Sequence, residues 1–123
     1  MVNHAINWFE IPALNFDRAV KFYSNILGIK MENSKMMGYD MGFFPYQAES
    51  VSGAVVAGDG CVPGDKGTLI YLNGGEDLNS PLSKVEKAGG KVLVPKTQIS
   101  EEIGYFAIFM DTEGNRIGLH SRK

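Results

Sequence analysis

One order of elements occurs twice along this chain, and it constrains the fold more than any other feature. Residues 2–12 hold Ile6, Trp8, Phe9 and Ile11 with no helical period and close on Pro12, the pattern of a strand. Asn15 stands where a helix needs a side-chain acceptor for its first free N–H groups. Phe16, Ala19, Val20, Tyr23, Ile26 and Leu27 then recur at the spacings of one buried helical stripe, and Gly28 is the expected stop. Strands are expected over residues 30–36, 39–44 and 51–57, followed by a Gly- and Pro-rich loop over 58–67. The plan then returns. Residues 68–73 read as a strand, Ser80-Pro81 opens a helix striped by Leu82, Val85 and Ala88, and Gly89-Gly90 ends it. Strands are expected again at 91–94, 105–110 and 116–120, the last two joined by a hairpin turn at 111–115.

Composition narrows the function classes. The 123 residues amount to one domain, and 44% hydrophobic against 21% charged residues is the balance of a globular protein rather than a disordered one. Twelve Lys and Arg against 14 Asp and Glu leave no basic excess for nucleic acid. No apolar run is long enough to span a bilayer, so no membrane role is expected. The lone Cys61 excludes an internal disulfide and a multi-cysteine zinc site. With no signal-peptide pattern at the N-terminus, it leads to the expectation of a reducing cytoplasm.

Three stretches carry a family resemblance: WFEIPALNFDRAVKFYSNILG from Trp8, LSKVEKAGGKV from Leu82 and DTEGNRIGLHS from Asp111. With the repeated order they make the chain similar to the vicinal oxygen chelate superfamily, which includes glyoxalases, bleomycin-resistance proteins and dioxygenases. The resemblance implies an α+β fold of two βαβββ modules, about residues 1–58 and 67–121, whose sheets form a cupped, partly closed mixed sheet around a small-molecule ligand. A homodimer is compatible with it.

Metal-dependent members of that family place ligands on the first strand, at the end of the first module, at the opening of the second and on the last strand. Here those positions hold Trp8, the acid-free run 53–58, Leu69 or Ile70, and Gly118. Indole, alkyl groups and glycine offer a divalent ion no side-chain donor. The expectation is no metal and no cofactor.

Strand alternation sets Phe9 and Ile11 toward the helix and Trp8 and Glu10 toward the other face. It sets Ile117 and Leu119 inward, leaving Arg116, Gly118 and His120 on the far side. Glu10 and His120 are therefore the candidate acid-base pair, an acid among apolar neighbours and a side chain that titrates near neutrality. Trp8, Tyr71, Phe43 and Phe44 are the candidate ligand-binding aromatics. Two functions stay open. One is a metal-independent lyase or isomerase acting on a small carbonyl compound through Glu10 and His120; the other is non-catalytic binding and sequestration of a small, partly aromatic molecule. Glu10 also reads as a solvated carboxylate at a cavity rim, and His120 as an idle histidine near the C-terminus.

Overall fold

Asn15 caps the first helix as its position predicts. Its side-chain oxygen accepts the Arg18 N–H at 3.1 Å, and α1 runs Phe16–Leu27 to Gly28, whose φ of 63° is cheap only for glycine. The structure is a computed structural model describing residues 4–123, so residues 2 and 3 of the first expected strand lie outside the described residues. That strand, β1, is Trp8–Pro12. β2 (Glu32–Met36), β3 (Tyr39–Phe43) and β4 (Ser52–Ala57) follow α1, and β4 returns parallel to β1, giving a sheet ordered β1-β4-β3-β2. The second module comprises β5 (Tyr71–Asn73), α2 (Asn79–Leu82), β6 (Lys91–Ser100), β7 (Gly104–Met110) and β8 (Arg116–Ser121), with sheet order β5-β8-β7-β6. The two four-stranded mixed sheets thus repeat one topology, with β1 and β5 at corresponding edges.

One apolar core joins the modules. Phe22, Tyr23 and Ile26 of α1 are buried with Ile11, Phe44 and Val55 from the first module and Leu72, Ala107, Phe109 and Leu119 from the second. Tyr23 is its hub, with ring centroids 5.0 Å from Phe22, 5.8 Å from Phe44 and 6.4 Å from Phe109. Each such ring buried contributes on the order of 1.5–3 kcal/mol. Because both sheets give one face to this core, side chains of opposite parity, Trp8 and Glu10 on β1 and His120 on β8, point away from it.

Of the described residues in the strands expected at 2–12 and 68–73, only those from Trp8 and from Tyr71 onward form strand, and two further expectations differ more. The second helix, expected to run from Ser80 to Ala88, is one α turn followed by tighter turns: the Lys84 and Val85 N–H groups bond three residues back, to Pro81 and Leu82. Pro81 lies inside the turn rather than at its start, and Asp77 Oδ1 accepts the Asn79 N–H in place of a Ser80 cap. The apolar stripe holds nonetheless: Val85 is fully buried, and Leu82 and Ala88 pack partly buried against the core. The strand expected at 91–94 extends to Ser100 through three register shifts against β7, irregularities that periodicity does not reveal.

Candidate functional site

The turn 111–115, read from sequence as a hairpin, does more than reverse the chain. Asp111 Oδ1 accepts the Glu113 and Asn115 N–H groups at 2.9 Å, and Oδ2 accepts the Tyr23 hydroxyl at 2.6 Å and Asn115 Nδ2 at 3.0 Å. Asn115 Nδ2 also donates to the Pro12 carbonyl at 2.8 Å. Glu113 takes the first turn of α1: Oε1 accepts the Leu14 and Asn15 N–H groups at 2.8 and 2.7 Å, and Oε2 accepts Arg18 Nε at 2.7 Å. A carboxylate at a helix N-terminus meets both free N–H groups and the positive end of the helix dipole. Burial pushes the Glu113 carboxyl up, but Arg18, Asn15, Thr112 and Leu14 together outweigh it and hold it below the ordinary range. Burial, with the Asp111 charge second, pushes the Tyr23 phenol well up, so it stays a donor. No periodicity in the sequence reveals this clamp between modules. Its signal was two acids and an asparagine, Asp111, Glu113 and Asn115, within one five-residue turn.

The sequence-derived candidates divide between the sheets. On the first, Trp8 and Phe43 share the outward face with ring centroids 6.0 Å apart, and Trp8 Nε1 donates to Glu10 Oε2 at 3.3 Å. Register puts Ala54, Val56 and Met41 on the same face. Trp8 is 41% exposed. Cys61 lies within range of the Glu10 charge; burial first and Glu10 second push its thiol up, away from reactive thiolate. Phe44, next to Phe43, has the opposite parity. It packs in the core, with ring centroids 5.4 Å from Phe9 and 5.8 Å from Tyr23.

On the second sheet Tyr71 and His120 share the outward face and line one cavity of about 990 Å³ with Asn73, Glu76 and Arg122. Tyr71 stacks edge-on against Phe106, centroids 6.4 Å apart. His120 Nε2 lies 2.7 Å from the Ile103 carbonyl oxygen; a carbonyl only accepts, so that nitrogen carries the proton. Glu10 is bonded to Trp8 and His120 to Ile103, and among the described residues no hydrogen bond or ion pair joins the two. The structure does not bring them together as an acid-base dyad.

The positions that the resemblance assigns to metal ligands do not fit an ion. Trp8 carries an indole, and the space a side chain at Gly118 would need is taken by Tyr71, whose Cε2 would lie 2.6 Å from an added Cβ. Among the described residues no three His, Cys, Asp or Glu side chains gather in a metal-binding group.

Comparison with known proteins gives a consistent picture. Residues 5–119 match the Glyoxalase family, described as the glyoxalase/bleomycin resistance protein/dioxygenase superfamily. A glyoxylase-like domain-containing protein from Didymella fabae is 31% identical, over 99% of this chain and 98% of its own. Among solved structures, a glyoxylase/bleomycin resistance protein/dioxygenase domain from Frankia sp. EAN1pec superposes with a TM-score of 0.73 at 13% identity, covering 99% of this chain and 100% of that one. TnmS3, an antibiotic binding protein from Streptomyces sp. CB03234, gives a TM-score of 0.70 at 21% identity, covering 100% and 99%. At these identities the two structures attest the fold.

Proposed function

The chain belongs to the glyoxalase/bleomycin resistance protein/dioxygenase superfamily, and from that premise we propose that it binds and sequesters a small, partly aromatic molecule against the outward face of its first sheet. The observation that carries this reading is the Trp8–Phe43 pair, two rings 6.0 Å apart and turned away from the core, with the Glu10 carboxylate beside them. Rings so placed offer a planar ligand stacking surface, and the carboxylate offers it an acceptor. Holding the ligand without turnover fits the separate partners of Glu10 and His120. It also fits the description of TnmS3, a protein of the same fold, as antibiotic binding. A second copy of the chain, its Tyr71 and His120 face laid over this one, would complete the enclosure as a homodimer. The free Cys61 suits a reducing, cytoplasmic setting.

Trp8 is the single tryptophan, so its emission reports on the site directly. In a thermal-shift screen of small metabolites and aromatic antibiotics, a true ligand raises stability by about 2.7 kcal/mol at a hundred times its Kd. It should quench Trp8 saturably and lose affinity in Trp8→Phe and Phe43→Ala. A ligand that binds without touching Trp8 emission overturns the assignment. Turnover of a bound carbonyl compound, abolished by Glu10→Gln and His120→Asn with binding kept, would replace sequestration by the metal-independent lyase or isomerase reading.

A further inference from the structure

A second concavity lies at the seam between the modules and adjoins the first, sharing Tyr71, Leu72, Asn73, Gly75 and Glu76 with it. It has a volume of about 1050 Å³, at the upper end of the roughly 300–1,000 Å³ of small-molecule pockets. Its wall is apolar: Phe9 and Phe44 from the first sheet, Leu27 and Ile29 where α1 ends, and Ile70 and Leu72 around β5. None of Trp8, Glu10, Phe43 or His120 lines it.

Its charge is one-sided. Glu76 and Asp77 are the charged residues lining it, with no Lys, Arg or His among them. Asp77 Oδ1 is engaged, accepting the Asn79 N–H at 2.9 Å and meeting Lys96 Nζ at 3.4 Å, whereas Glu76 forms no ion pair among the described residues. Glu76 also lines the adjoining cavity with Arg122 and Lys123, but is in no ion pair with either; an apolar trough lined by such a carboxylate complements a molecule with an apolar body and one positive end. We propose that this seam is a second binding site, separate from the Trp8–Phe43 face, for a small cationic amphiphile. The ammonium end lies at Glu76 and the hydrocarbon body runs between Phe9, Leu27 and Leu72.

The test uses decyltrimethylammonium and decyl sulfate, equal in chain length and opposite in charge, below their micellar concentrations. Amide NMR shifts follow Leu27, Ile29, Leu72 and Glu76 while Trp8 emission is recorded in parallel. The cation should shift the seam amides saturably, leave Trp8 unchanged and bind about tenfold more tightly than the anion. Glu76→Lys should reverse that preference. Glu76→Gln, which keeps size and removes charge, should shrink it to about threefold should the lysine variant not fold. Asp65→Lys changes net charge by the same amount as Glu76→Lys away from the seam lining, and should leave the preference in place. Equal affinity for both probes, absence of saturable seam shifts, or a preference that survives in Glu76→Lys overturns the proposal. Shifts centred on the Trp8 face would also overturn it while leaving the first site standing.

Discussion

Asp111 and Glu113 on one side and Glu10 on the other are all carboxylates near the first strand or the helix that follows it, yet their surroundings are opposite. Asp111 and Glu113 are 4% and 6% exposed, and each accepts four hydrogen bonds that tie the second module's last turn to α1 or close that turn on itself. Glu10 is exposed and accepts one bond, at 3.3 Å, from its neighbour Trp8. The contrast separates acids used up by the fold from one left over for something outside it. A buried acceptor whose bonds are complete has nothing to offer a ligand, and removing it strands several donors at once.

The largest effect is expected at the centre of the clamp. Asp111→Ala leaves the Tyr23 hydroxyl and the Glu113 and Asn115 N–H groups without their acceptor, and should cost at least about 3 kcal/mol. Calorimetry should show a melting temperature lower by roughly 10 °C; a loss under a tenth of that would mean the turn does not bind the modules together.

Glu113 comes next, because Arg18 is half-exposed and the helix N–H groups it serves regain water. Glu113→Gln should cost about 2 kcal/mol near neutral pH. The loss depends on pH with a definite sign. The carboxyl is held below its ordinary value of 4.5, so its contribution is complete above that value and disappears as pH falls through the lower folded one. Denaturant melts of wild type and Glu113→Gln should therefore differ by a constant amount above about pH 5.5 and converge in more acid solution. A gap that widens on acidification would reverse the assignment.

The smallest effect on stability is expected where the effect on binding is largest. Trp8→Ala on the outward face should change stability by no more than about 0.5 kcal/mol, and Glu10→Gln by less. If Trp8→Ala instead unfolds the chain as Asp111→Ala does, the outward face belongs to the fold and the contrast between the two groups of acids collapses.

Local chemistry makes much of this architecture legible in the sequence. The N-cap at Asn15, the six-residue stripe of α1, the left-handed stop at Gly28 and the twice-used element order are all short-range signals, each set within one turn of helix or one strand. Strand parity also separates Trp8 from Phe9, because side chains alternate wherever a strand forms. The same rule separates Phe43 from Phe44, two rings that composition alone offers alike as ligand aromatics. Where parity stops, tertiary structure takes over. Glu113 meets Leu14 and Asp111 meets Tyr23 across 99 and 88 positions of chain, and no periodicity encodes a contact between segments that far apart. Alternation likewise turns Glu10 and His120 away from the core of each sheet, but it carries no information on how one sheet lies against another. That placement depends on how Tyr23, Phe44 and Phe109 pack about α1, and packing depends on the shapes of all the side chains that meet there.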